Sequence, residues 1–202
     1  MNLFLPGEGI PIELLKKLYF DEKKSSAYIA KQLHCSEHKV NYWLLANGIN
    51  KRSISEAIYV KHNPKGDPFK FIQPKNLEEA KLFGMGIGLY WGEGNKANKT
   101  TVRLGNSDPA LMRIFIRFLI KFFNIKESDL RFQLQIFTDL DINKVLDYWL
   151  KELKVNKNQF YKTVVTKSGS LGTYINKSQH GVVSVYYGNI KLKKLLMELL
   201  PR

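Results

Sequence analysis

The residues best equipped for chemistry stand together between positions 84 and 94, where five glycines and one carboxylate, Glu93, occur. Each glycine inside a helix costs roughly 1 kcal/mol relative to alanine. Several in one helix therefore imply a use for the missing side chains. Gly84, Gly88 and Gly92 recur every four residues, which sets them in one bare stripe where another helix backbone can approach closely. Glu93 stands at the end of that helix. Other chemistries are less well served. The Gly-x-Gly pattern here lacks the preceding strand and third glycine of a dinucleotide loop, and no Gly-Lys-Ser/Thr phosphate loop is present. His34, His38, His62 and His180 are scattered, and with Cys35 they give no zinc spacing. No nucleophilic triad can be argued from the spacing.

Charge points to the partner. The chain of 202 residues carries a net charge of +14, which favours a polyanion, nucleic acid first among them. The surplus is spread. Residues 1–75 hold 12 Lys and Arg against 7 Asp and Glu, and residues 76–202 hold 20 against 11, giving +5 and +9. A basic protein with no such partner has the same balance. With 44% hydrophobic and 25% charged residues, the composition argues against wholesale disorder. One cysteine allows no internal disulfide and fits a reducing, cytoplasmic setting. The apolar start, residues 1–6, is too short for a cleavable signal. The most apolar run, 110–123, is broken by Arg113, Arg117 and Lys121. That spacing predicts an amphipathic helix facing a core rather than a membrane span, although a membrane-surface helix shows the same pattern.

These residues need elements to position them, and the pattern predicts two units, 1–59 and 77–202, joined by a linker over 60–76. The first reads as helices over 12–20, 25–33 and 36–46, with Ser36 capping the third. The linker holds Pro64, Pro68, Pro74 and Gly66 and shows no periodicity. The second unit reads as helix 77–92, strand 99–106, helix 109–123, strand 130–137, helix 141–153, strands 160–167 and 182–187, and helix 189–199. Asp108-Pro109 is a strong helix start, and Asn189 can cap the last helix. The expected class is α+β: an all-α N-terminal domain, then a mostly antiparallel sheet with helices on one face.

Two resemblances follow. The segment from Tyr28 through Ala30 and Ser36 to Leu44 resembles the helix-turn-helix of resolvase-like and regulator proteins, with a small residue where the helices cross and a serine opening the recognition helix. It implies DNA contact by Lys39, Asn41 and Tyr42, and by the basic extension at Lys51 and Arg52. Gly86-Ile-Gly-Leu-Tyr-Trp-Gly-Glu-Gly resembles the motif of the LAGLIDADG homing endonucleases. In that family two such helices pack side by side and their terminal acids hold divalent metal over the scissile phosphates. The resemblance implies Gly84, Gly88 and Gly92 as dimer-interface positions, Glu93 as catalytic and metal-binding acid for Mg2+ or Mn2+, and Gly94 as the helix end. Asn106 matches a position that orients water. Lys162 and Lys167 are the candidates for a basic residue assisting the transition state. Tyr90-Trp91 is bulkier than the family pattern, and Glu stands where Asp is commoner.

The strands supply a surface. Arg131, Gln133 and Gln135 alternate with Phe132, Leu134 and Ile136, as Lys99, Thr101 and Arg103 alternate with their neighbours. One face is then apolar, while the other presents side chains that read base edges and phosphates. Lys96 adds to it. A solvated polar face alternates in the same way. The expected function is a site-specific, metal-dependent double-strand DNA endonuclease acting as a homodimer, since one motif is visible per chain. The alternative is a non-catalytic, sequence-specific transcriptional regulator on the same fold.

Overall fold

The computed structural model describes residues 9–168 and 179–201; the apolar start at 1–6 lies outside them. The chain divides into two compact units at Pro68 and Phe69. Among the described residues it is mixed α+β, with eight α-helices and a four-stranded sheet.

In the first unit α1 covers Ile12–Lys16 and runs into a wider π turn over Lys17–Asp21, where the sequence pattern predicts one uninterrupted helix. Helix α2 spans Ser26–Gln32 and α3 spans Glu37–Ala46. Each begins on a serine whose hydroxyl accepts a first-turn N–H: Ser25 from Tyr28 and Ser36 from Lys39, both at 3.1 Å. Between them His34 takes a left-handed φ of 52°, and the Cys35 N–H bonds back to the Ala30 carbonyl at 2.9 Å. Leu15, Leu18, Ile29, Ala30, Leu33, Val40 and Leu44 close the core.

The predicted linker is corrected at both ends. Helix α4, Ile54–His62, covers its start. A capping box nucleates it, Ser53 accepting from the Glu56 N–H while the Glu56 carboxylate accepts from the Ser53 N–H. The linker's later part belongs to the second unit. The Lys70 and Ile72 N–H groups donate to the Phe123 and Phe122 carbonyls, and Phe69 and Phe71 pack on that unit's core.

The second unit runs α5 (Leu77–Glu93), β1 (Thr101–Asn106), α6 (Pro109–Phe123), β2 (Arg131–Phe137), α7 (Ile142–Leu153), β3 (Val164–Thr166), β4 (Val182–Gly188) and α8 (Ile190–Glu198). Asn76, Asp108, Asp141 and Asn189 cap the four helices through their side chains. Strand order is β1-β4-β2-β3. β4 pairs antiparallel with β1 and β2, but β3 lies parallel to β2. The sheet is thus mostly antiparallel, as expected, with one parallel pair, because β3 follows the crossover through α7 and so returns in the direction of β2. Val102, Leu104, Phe132, Leu134, Ile136, Val183 and Val185 share one core with Phe115, Phe118, Phe122, Trp149, Leu192 and Leu196 from the helices. The basic edge of α6 meets acids of its own unit: Arg113 pairs with Glu152, and Lys121 with Glu79 at 2.9 Å.

Candidate functional site

The glycines of α5 do two different jobs. A Cβ at Gly86 would lie 2.1 Å from Phe118 Cγ, and one at Gly94 would lie 2.4 Å from the Tyr90 carbonyl oxygen. Those two are required by packing within the chain. Gly84, Gly88 and Gly92 meet nothing within 4 Å. They face outward with exposed apolar neighbours, Leu77 at 70%, Met85 at 46% and Trp91 at 57%. Nothing among the described residues explains why three helix-weakening residues line that face. Glu93 is exposed beside it.

The end of α5 is anchored from beneath. Lys193 of α8 is only 2% exposed. Its ammonium donates to the Tyr90 hydroxyl and to the Asn95 carbonyl, each at 2.6 Å. Burial pulls the Lys193 pKa down, and the nearby Lys96 charge adds to this. Burial pushes the Tyr90 phenol up to about 12. Lys96 itself donates to the Gly92 carbonyl at 3.3 Å, so it closes the helix end. The sequence pattern missed Lys193. The available signal was its place between Leu192 and Leu196 on the apolar side of an amphipathic helix.

Gly94 forms an antiparallel bridge to Leu104, and the Asn95 N–H donates to the Arg103 carbonyl at 2.9 Å. This sets Glu93 along the outer edge of β1, in register near Gly105 and Asn106. The Asn106 carboxamide accepts from the Asp108 N–H at 2.9 Å, which ties it into the start of α6. Lys162 and Lys167 are not brought to this end. They flank β3 rather than lie in it, at the opposite edge of the sheet. The strand order puts three strand spacings of roughly 4.8 Å, about 14 Å in all, between β1 and that edge.

On the open face, Thr101 and Arg103 of β1, Ser184 and Tyr186 of β4, and Arg131, Gln133 and Gln135 of β2 stand in cross-strand register. Arg131 turns back, donating to the Ser128 and Leu130 carbonyls at 2.7 and 2.9 Å. Lys99 is exposed in the turn before β1. Tyr186, in the middle of this face, was not singled out by alternation, because β4 is apolar at nearly every position.

In the first unit Tyr42 is 60% exposed and stacks edge-on against Trp43, and Lys39 is half-buried. Asn41 does not stand clear of the surface. It lines a cleft of about 710 Å³ with Tyr28, Lys51, Ile58 and Lys61, and its Oδ1 is buried without a hydrogen-bond partner among the described residues. Arg52 is held inside. It donates to the Tyr19 and Lys24 carbonyls, and its guanidinium lies 4.0 Å from the centre of the Tyr19 ring.

No three His, Cys, Asp or Glu side chains converge among the described residues, and no described helix is long and apolar enough to cross a membrane. No family model, curated protein or solved structure matches the chain.

Proposed function

We propose that this chain is a site-specific DNA endonuclease of the LAGLIDADG type, acting as a homodimer, with a helix-turn-helix in its first unit that adds affinity and site choice. One observation carries the reading: a helix with an outward stripe of Gly84, Gly88 and Gly92 that meets nothing in its own chain and ends on an exposed carboxylate, Glu93. A second copy of α5 is the occupant that such a stripe fits. Pairing the helices sets two Glu93 carboxylates side by side, where they repel unless a cation lies between them.

One carboxylate per chain suits Mg2+ or Mn2+, which binds through one or two carboxylates and keeps its remaining positions for water and substrate phosphate. The two Glu93 side chains would hold it. Bound there, such a metal would supply an activated water and offset charge on the departing oxygen. The chain's own residues position DNA: the open sheet face, Lys99, and in the first unit Lys39, Tyr42, Lys51 and the cleft around Asn41. The single cysteine suits a cytoplasmic location.

The deciding experiment incubates the protein with a random-sequence duplex library and magnesium, then sequences bound and cut molecules. Wild type cuts selected sites. Glu93→Gln keeps size and shape but removes the charge, so it binds the same sites at equal or higher affinity and leaves them whole. Tight, selective binding by wild type with no cutting in magnesium or manganese establishes the regulator instead. The placement of Lys162 and Lys167 beside β3, at the sheet edge opposite β1, favours that second reading.

A further inference from the structure

We propose that Tyr186 sets the base preference of the open sheet face by holding Gln133 and Arg103 in fixed poses. This rests on the reading that duplex DNA meets that face.

Tyr186 lies in β4, an inner strand, directly across from Arg103 on one side and Arg131 on the other. Its hydroxyl donates to Gln133 Oε1 at 2.9 Å. Its ring supports the Arg103 guanidinium, whose carbon lies 5.0 Å from the ring centre, within the range of cation–π attraction. Tyr161 meets the same ring edge-on at 5.7 Å. Arg103 Nη2 also reaches Ser184 Oγ at 3.5 Å. Gly105 leaves room for this, since a Cβ there would lie 2.6 Å from that hydroxyl. With Arg131 turned back on Ser128 and Leu130, Arg103 is the guanidinium that stays available in its row.

The consequence is chemical. An unrestrained glutamine presents donor and acceptor together and pairs bidentately with adenine, giving to N7 and taking from N6. Here one Oε1 lone pair is taken by Tyr186 and one Nε2 hydrogen by the Lys162 carbonyl at 3.5 Å, so the carboxamide is held at both ends and its second N–H is the donor left for a base. A fixed donor beside a fixed arginine matches an edge that only accepts, which is guanine O6 and N7.

The test is library selection with wild type, Tyr186→Phe, Gln133→Ala, Arg103→Ala and the Tyr186→Phe/Gln133→Ala double variant, each checked for an unchanged melting temperature. Tyr186→Phe keeps the ring under Arg103 and removes the hydroxyl. It should shift one position from guanine towards adenine by about tenfold, with unchanged salt dependence. Gln133→Ala should erase that preference, and the double variant should match Gln133→Ala. If Gln133→Ala changes the profile and Tyr186→Phe does not, Gln133 reads the base unaided and the inference fails while the DNA-facing sheet stands. If neither Gln133→Ala nor Arg103→Ala alters binding, the sheet does not meet DNA and both readings fall.

Discussion

The Lys193 ammonium sits 2.6 Å from the Tyr90 hydroxyl oxygen, with Tyr90 fully buried and Lys193 nearly so. Both side chains are kept from water directly behind the helix end that carries Glu93. Neutral Tyr90 is favoured by burial, so its pKa rises from 10.0 to about 12. The folded state then keeps a proton that the unfolded state releases. The associated stability is fully present below pH 10 and is lost as pH climbs towards 12. Two pH units correspond to about 2–3 kcal/mol. The stability of wild type relative to Tyr90→Phe should fall by about that amount over this interval in urea melts. A constant difference would show that Tyr90 does not titrate as a buried phenol.

Lys193 works in the other direction. Burial disfavours its charge, so its folded pKa lies below the ordinary 10.5. The unfolded chain binds the extra proton, and stability rises with pH through the window just below 10.5. Lys193→Met removes this slope. It also leaves the Asn95 carbonyl without its ammonium partner, at about 1–3 kcal/mol at neutral pH. Stability of wild type relative to Lys193→Met should therefore grow as pH approaches 10.5. A difference that stays flat would mean the ammonium is better solvated than its 2% exposure indicates.

The glycines of α5 separate packing from association. Gly86→Ala forces a methyl into the Phe118 ring, and overpacking of this kind costs about 1–3 kcal/mol. Gly88 is helical with nothing within 4 Å, so Gly88→Ala should stabilise dilute, monomeric protein by about 0.5–1 kcal/mol. Gly88→Leu should be tolerated by the monomer yet weaken dimerisation, read by light scattering at micromolar concentration with and without DNA. A wild type that stays strictly monomeric under both conditions would leave the outward stripe without its proposed occupant.

Much of the second unit was legible in its sequence for identifiable reasons. Asp108-Pro109 and Asn189 mark helix starts that the structure uses, and the apolar spacing of 109–123 matches the buried face of α6. What escaped depended on distant neighbours. The four-residue spacing sets Gly84, Gly88 and Gly92 apart from Gly86, but only the position of Phe118 decides that Gly86 is the one turned inward. The parallel placement of β3 follows from the path through α7, which alternation does not encode. Helix α4 was hidden by the prolines and glycine that follow it, although its Ser53 and Glu56 form a capping box. Asn41 reads as a groove-facing residue at its helical position, but the cleft beside α4 takes it in.

Arg52 and Lys51 are neighbours in different settings, and if the first unit binds DNA as proposed this divides stability from binding. Arg52 joins residues far apart in sequence: its backbone N–H donates to the Tyr19 hydroxyl at 2.8 Å and its guanidinium to the Tyr19 and Lys24 carbonyls. Charge-assisted bonds of this kind contribute about 1.5–3 kcal/mol each, and removal leaves the Tyr19 and Lys24 carbonyls without this partner. Arg52→Ala should destabilise the first unit by about 2–3 kcal/mol, seen as a lower urea midpoint, before any DNA is added. Lys51 is exposed on the wall of the cleft. Its replacement by alanine should change stability by less than about 0.5 kcal/mol. In DNA binding it should reduce the slope of log affinity against log salt by about 1, as expected for one lost phosphate contact. An unchanged salt slope for Lys51→Ala, in a variant of normal stability, would remove this cleft from the DNA interface.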